Sequence, residues 1–282
     1  MNEANKSTPN LLDLDKVFKE KAPKLYSKTP RFVINYIKKK VHVDELNEIL
    51  TIYADKYGVD FMEAVVGYFD LHLDIHGLEN IDTSKKYVFA SNHPLGGLDG
   101  ICLSAIIGKK FDKKIKYLVN DVLYFIKNLQ PIFIPVNKYG SQAKEKAQAL
   151  NNAYASENQI ITFPAGLCSR RINGKIEDLP WQKSFIIKAI ENKRDVIPVY
   201  FEAHNSKFFY RFANLRKRIG IKFNIELFFL PDEMFKNKHQ TFNVYFGEPI
   251  PWTYFDSSKT PQQWANEVRS ITYNLVTTEN TK

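Results

Sequence analysis

The sequence is poor in cysteine: its 282 residues include only Cys102 and Cys168. The two are far apart and form no CxxC pair, which excludes a disulfide framework and the common zinc-binding patterns. We therefore expect a reducing compartment, the cytoplasm, and no metal site.

Long apolar segments are missing as well. No run of about 18 apolar residues occurs, so we expect no transmembrane helix. The N-terminal stretch MNEANKSTPNLLDLDK is polar and acidic, whereas a signal peptide is basic and then apolar. The patterns GxxxxGK(S/T) and GxGxxG are also absent, which argues against enzymes that bind nucleotides through glycine-rich loops.

Basic residues outnumber acidic ones, 40 against 31, and the net charge is +9. Such an excess favours an anionic partner. Residues 21–40 and 207–223 interleave basic and aromatic side chains, as a helix at a membrane interface does, although a helix that packs on a sheet and exposes its lysines gives the same pattern. No RNP, zinc-finger or helix-turn-helix pattern appears, so we expect no nucleic acid. The expectation is a peripheral protein on the inner, cytoplasmic face of an anionic membrane.

The spacing of apolar residues divides the chain into two parts. Over residues 11–70 they recur every three or four positions, which predicts helices. From residue 71 short apolar strand patterns alternate with helical patterns, which predicts an α/β domain with a mixed sheet and flanking helices. The predicted strands are LHLDIHG, KYVFASN, IKYLV, PIFIPV, QIITF, DVIPVYF and NVYFGEPI. We therefore expect an N-terminal helical segment, 1–70, and an α/β domain, 71–282.

The stretch SNHPLGGLDG, residues 91–100, lies between a predicted strand and a predicted helix. Ligands of open α/β sheets bind at the carboxyl ends of the strands, where this turn should lie. His93 titrates near neutrality and can take a proton from a hydroxyl group, while Asp99 can hold its other nitrogen. Gly96 and Gly97 allow the backbone to fold back, and N–H groups near a helix start suit an oxyanion or phosphate. Taken alone, the pair is more simply explained as a structural histidine in a glycine turn.

Four blocks, taken together, resemble the signature blocks of the glycerolipid acyltransferase family, the lysophosphatidate-acyltransferase-like enzymes. NHPLGGLDG is similar to the first block, in which four residues separate NH from D, and FPAGLCSRR to the third, FPEGTRSR. PIFIPVNK resembles the second block, and DVIPVYF, around Ile197-Pro198-Val199, resembles the fourth. The resemblance covers roughly residues 85–200 and implies the glycerolipid acyltransferase fold.

The resemblance also implies the chemistry, which is transfer of a fatty acyl group from a thioester to a hydroxyl group. His93 would act as general base and Asp99 would orient it. The residues expected to bind substrate are Asn92, Gly96, Gly97, Asn137, Lys138, Pro164, Gly166, Ser169, Arg170 and Arg171. No tightly bound cofactor is implied, because the acyl group arrives on acyl carrier protein or on coenzyme A.

The residues that differ from the family pattern give information on the acceptor substrate. Five residues rather than four separate His93 from Asp99, and the glycine pair can absorb the extra one. Ala165 stands where the third block has Glu, Cys168 where it has its first Arg, and Val136 where the second block has Arg. Charge-assisted hydrogen bonds are each worth about 1.5–3 kcal/mol, so these changes predict an acceptor without a phosphate.

A hydroxylated N-acyl amino acid fits this description, because its carboxylate could bind Lys138, Arg170 or Arg171. The N-terminal region and the first block are similar to bacterial acyltransferases that complete ornithine- or glycine-type aminolipids. The sequence therefore predicts O-acylation of a lyso-aminolipid. Two alternatives stay open: acylation of lysophosphatidate, with Lys138 and Arg171 on the phosphate, and a non-catalytic lipid- or nucleic-acid-binding protein.

Other reactive side chains have simpler explanations. His72, Asp74 and His76 share one strand face and could bind a metal, but such alternation more often marks the solvated side of a strand. Cys168 could be a nucleophile, but a small buried thiol explains it more simply. Ser169 lies in GLCSR rather than GxSxG, so no nucleophile elbow is expected.

Overall fold

The computed structural model describes residues 11–21, 23–119, 126–135, 143–221 and 224–279. Its N-terminal segment is helical, as the spacing predicts. The helices there are α1 (Leu14–Lys21), α2 (Pro23–Lys28), α3 (Arg31–Lys40), α4 (Val43–Ile52) and α5 (Val59–Tyr68).

A mixed sheet follows, and the predicted α/β class is confirmed. The strands are β1 (His72–His76), β2 (Tyr87–Ser91), β3 (Ile115–Val119), β4 (Phe133–Pro135), β5 (Gln159–Thr162), β6 (Arg170–Ile172), β7 (Lys175–Glu177), β8 (Asp195–Glu202) and β9 (Thr241–Phe246). In the described part of the chain, seven of them form one sheet in the order β1-β9-β8-β2-β5-β3-β4. Neighbouring strands are parallel except β8 and β9, and β6 and β7 form a separate antiparallel hairpin.

Helices flank the sheet. They are α6 (Leu98–Lys110), α7 (Ala143–Ala155), α8 (Ser184–Glu191), α9 (Lys207–Arg218), α10 (Leu230–Lys236) and α11 (Pro261–Glu279). Within the residues that the structure describes, no helix is both long and apolar enough to cross a membrane.

The N-terminal segment shares its core with the sheet. Phe61, Met62 and Val65 of α5 belong to the same buried cluster as Phe89 of β2 and Ile197 of β8. Every residue of β2 is buried, because helices cover both faces of the sheet there, and this explains its continuous apolar run.

Charged contacts fasten the same segment to α10. The carboxylate of Asp232, in α10, lies 3.1 Å from Lys40 Nζ and 3.2 Å from His42 Nε2. Lys236 Nζ, in the same helix, lies 2.8 Å from the carboxylate. Burial alone would raise the pKa of Asp232, but hydrogen bonds from Lys236, His42 and Lys40 lower it to about 2. The carboxylate therefore stays ionised and links the helical segment to the rest of the protein.

The parallel strands β8, β2, β5, β3 and β4 all end at one edge of the sheet. The first signature block follows β2 and the third follows β5, so the two neighbouring strands bring these blocks together. This edge is where an open α/β sheet binds its ligands.

Candidate active site

The turn after β2 brings His93 into contact with Asp99. Nδ1 of His93 lies 2.9 Å from Oδ2 of Asp99, which is completely buried. An ionised carboxylate can only accept a hydrogen bond, so Nδ1 donates and the lone pair is on Nε2. That Nε2 forms no hydrogen bond with the residues that the structure describes. The arrangement is that of a general base held by an orienting carboxylate.

The residues between them wrap around the Asp99 carboxylate. The backbone N–H groups of Leu95 and Gly96 donate to Oδ2 at 3.0 and 3.3 Å. The N–H of Gly100 donates to Oδ1 at 2.9 Å. The turn therefore folds around the charge that orients the imidazole, and the start of α6 supplies part of that support.

Glycine is needed at Gly96 for two reasons. Its φ is +75°, in the left-handed region, and a Cβ would lie 2.8 Å from Leu230 Cδ1 and 3.0 Å from Cys168 Cβ. At Gly97 φ is −174°, and a Cβ would meet nothing within 4 Å. The positive φ and the tight packing that exclude a side chain are therefore found at the first glycine of the pair.

Burial and charge have opposite effects on the pKa values of His93 and Asp99. Burial lowers the pKa of His93, but the charge and hydrogen bond of Asp99 and the charge of Asp178 outweigh it, and the pKa is raised. Burial raises the pKa of Asp99, yet the charge and hydrogen bond of His93 and the N–H groups of the turn leave it lowered. His93 is thus a stronger base than free imidazole. Phe163 stacks on its ring, with 4.0 Å between centroids, and holds it in place.

Asp178 connects the first block to the third, and it was not predicted from the sequence. Its carboxylate accepts hydrogen bonds from the His93 backbone N–H at 3.2 Å, the Ser169 hydroxyl at 2.6 Å and the Trp181 indole at 3.0 Å. Burial raises the pKa of Asp178 in spite of these bonds. Its only signal in the sequence is a carboxylate beside the apolar stretch LPW, outside every family block.

Arg170 is engaged within the protein. Its Nη2 lies 3.0 Å from Oε1 of Glu226, and its Nη1 donates to the Cys168 carbonyl at 2.7 Å. Arg216 Nε lies 2.8 Å from the other oxygen of Glu226, which is completely buried. Arg171 is exposed instead. The two adjacent arginines therefore have different surroundings.

Three further predicted substrate-binding residues contact the protein itself. Oδ1 of Asn92 accepts from the Phe201 N–H at 2.7 Å and Nδ2 donates to the Phe201 carbonyl at 3.0 Å, which ties β2 to β8. Pro164 is buried. Gly166 has a φ of +70°, and its N–H donates to the Phe163 carbonyl at 2.9 Å.

The positions that depart from the family pattern are not all described. Val136, Asn137 and Lys138 lie outside the described residues. Ala165 is buried in an apolar cluster. Burial raises the pKa of the Cys168 thiol to about 11, so the thiol is protonated at neutral pH and a poor nucleophile.

The alternating residues of β1 form no recognisable metal site. His72 and Asp74 are exposed, and His76 stacks on Tyr245 of β9. Among the described residues, no group of three His, Cys, Asp or Glu side chains could hold a metal ion.

A family model described as acyltransferase matches residues 16–281, which is nearly the whole chain. The chain therefore belongs to the acyltransferase family, and the predicted family and enzyme class are confirmed.

Two curated relatives are similar along most of their length. The lyso-glycine lipid O-acyltransferase of Bacteroides thetaiotaomicron is 52% identical over 265 residues, 94% of this chain and 97% of that protein. The lyso-glycine lipid O-acyltransferase of Phocaeicola vulgatus is 50% identical over 265 residues, 94% of this chain and 95% of that protein. Among solved structures, the 1-acyl-sn-glycerophosphate acyltransferase PlsC from Thermotoga maritima matches with a TM-score of 0.46 and 14% identity, covering 94% of this chain and 95% of that one. That score is too low to establish a common fold.

Proposed function

We propose that the protein transfers a fatty acyl group from an acyl thioester to the hydroxyl group of a lyso-glycine lipid, a hydroxylated N-acyl glycine. The identity of 52% and 50% with two lyso-glycine lipid O-acyltransferases, over 94% of this chain, carries the proposal. The contact between His93 and Asp99 supplies the group that such a reaction needs.

The proposed mechanism starts at Nε2 of His93, which takes the proton of the acceptor hydroxyl as its oxygen attacks the thioester carbonyl. Asp99 stabilises the imidazolium that forms. The N–H groups of Gly96 and Gly166 already donate within the protein. The N–H of Gly97, at the start of α6, is therefore our candidate donor to the oxyanion of the tetrahedral intermediate. Collapse of the intermediate forms the ester, breaks the C–S bond and releases the carrier thiolate, which takes the proton back from His93.

We assign the acceptor carboxylate to Arg171, which is the last residue of the third block and is exposed. Asn137 and Lys138 stay predicted binders. Ser169 and Arg170 use their polar atoms inside the protein, so we assign them to positioning the site. Asn92 also uses its polar atoms inside the protein, on the backbone of Phe201, so we assign it to positioning the site.

The proposal also covers the acyl donor and the location of the protein in the cell. Acyl carrier protein is acidic and coenzyme A carries phosphates, so the net charge of +9 suits either donor. Because the acceptor is a lipid, we place the protein on the cytoplasmic face of an anionic membrane, as a peripheral protein.

An acyl-transfer assay tests the reaction. Long-chain acyl carrier protein and acyl-CoA are each offered with lyso-glycine lipid, lyso-ornithine lipid or lysophosphatidate, and His93→Ala is the control. We expect product from the lyso-glycine lipid and none from the variant. Product chiefly from lysophosphatidate would contradict the proposed acceptor. Turnover by the His93→Ala variant would contradict the role of His93. Lipid binding without turnover by the wild type would favour a non-catalytic protein.

A further inference from the structure

The outer side of α9 carries large apolar side chains. Phe208, Leu215 and Ile219, the last directly after the helix, are 50%, 55% and 62% exposed. Phe212 lies between them and is partly exposed. At 3.6 residues per turn, these four side chains fall within a sector of about 60°. They form a continuous stripe, which we call the apolar stripe of α9.

A different face of the helix packs on the protein. Phe209 and Tyr210 are buried there, on the side away from the apolar stripe. Lys207, Arg211 and Arg218 are exposed and share a third sector, roughly 90° from the apolar stripe. Phe208 and Phe212 also contact Phe229, with 5.5 and 5.1 Å between ring centroids, but Phe208 stays 50% exposed. Packing therefore explains the buried face of α9 and only part of the apolar stripe.

We infer that α9 is the surface through which the protein docks on an anionic membrane leaflet, with the apolar stripe among the acyl chains and the three basic residues beside lipid phosphates. The inference rests on the proposed function, because both substrates carry acyl chains. An exposed apolar stripe flanked by Lys and Arg is the form that interfacial helices take. An acidic carrier protein would match the basic residues, but its charge gives no reason for the apolar stripe.

The start of α9 is tied to the catalytic turn. The side chain of Asn205, two residues before the helix, donates to the Pro94 carbonyl at 3.1 Å. Further along, Arg216 shares the buried Glu226 with Arg170 of the third block. A leaflet that binds α9 therefore also fixes the position of the catalytic turn relative to the lipid surface.

Vesicle sedimentation with the full chain tests the docking. The variant Phe208→Ser/Leu215→Ser/Ile219→Ser is compared with Ile52→Ser and Ile75→Ser, which remove apolar side chains that are 51% and 40% exposed on α4 and β1. We expect the wild type and both controls to bind vesicles that contain phosphatidylglycerol. The triple variant should bind at least about tenfold more weakly, and it should still unfold cooperatively above the assay temperature.

A charge variant separates the two kinds of contact. Arg211→Gln/Arg218→Gln should weaken binding to phosphatidylglycerol vesicles about 30-fold and leave the weak binding to phosphatidylcholine vesicles unchanged. Equal binding of the triple variant and the wild type would overturn the inference. A second result would also overturn it: the triple variant still binds vesicles but no longer transfers an acyl group from acyl carrier protein. In that case α9 would bind the carrier protein rather than the membrane.

Activity is measured apart from docking, with the acceptor dispersed in detergent. The triple variant should keep the wild-type rate there, because its substitutions lie outside the catalytic turn. If the wild type transfers no acyl group in detergent but still binds vesicles through the apolar stripe, the proposed reaction is wrong and the docking surface is supported.

Discussion

The backbone N–H of Ser169 donates a hydrogen bond of 2.7 Å to the carbonyl oxygen of His93. This bond joins the turn after β2 to the loop after β5. Asp178 completes the junction, because its carboxylate accepts from the His93 N–H and from the Ser169 hydroxyl. One buried carboxylate outside the signature blocks therefore sets the position of the proposed base relative to the third block.

Asp178→Asn should reduce activity and shift its pH dependence. The variant keeps an oxygen acceptor but removes a negative charge that helps to raise the pKa of His93. The acid limb of kcat/KM should therefore move to lower pH, and kcat should fall about 10- to 100-fold as the base is displaced. Ser169→Ala is the matched control, because it removes one hydrogen bond and keeps the charge. An acid limb that stays in place in Asp178→Asn would contradict the role of the carboxylate.

The pH profile of the wild type follows from the state of His93. The base must be neutral to accept a proton, and its pKa is raised from the ordinary value of 6.5. Activity should therefore fall as the pH decreases through a value above 6.5. Asp99→Asn removes the charge that raises this pKa, so the acid limb should move downward while kcat drops about 100-fold or more. Steady-state rates across the pH range measure both effects, and an acid limb that moves upward in the variant would exclude His93 as the titrating base.

Gly96→Ala should damage the site. A Cβ there combines a positive φ with contacts of 2.8 and 3.0 Å to Leu230 and Cys168. We expect the free energy of unfolding to fall by about 1–3 kcal/mol, together with most of the activity. Gly67→Ala is the control, because that glycine lies in α5 with nothing within 4 Å of a Cβ, and the change should be neutral or stabilise by up to about 1 kcal/mol. Equal denaturation midpoints for the two variants would refute the argument.

The fold class and the pair of His93 and Asp99 could be predicted because their signals are local. Each buried strand is a short apolar run, and the two residues lie in one turn between a strand and a helix. The position of β9 between β1 and β8 could not be predicted, because a strand pattern does not specify its neighbours. The β6–β7 hairpin and α10 are too short to give a clear period.

Arg170 shows why the roles of single residues were harder to predict. The sequence places it in a signature block, next to Arg171, and nothing in the local pattern distinguishes the two. The carboxylate that pairs with Arg170 is Glu226, 56 positions later. Such a long-range ion pair depends on how α9 and the following turn pack, which no local spacing encodes.

The two arginines should therefore respond differently to substitution. Arg170→Ala removes one of the two charged partners of the buried Glu226 and leaves Arg216, so we expect stability to fall by about 1.5–3 kcal/mol, the value of a charge-assisted hydrogen bond. Arg171→Ala removes an exposed side chain, so the melting temperature should stay the same while the KM for the lyso-glycine lipid rises about tenfold or more. Thermal unfolding and acceptor titrations of both variants separate the effects. If Arg170→Ala melts like the wild type and raises KM instead, the acceptor carboxylate binds at Arg170, and the pair with Glu226 must open when the acceptor arrives.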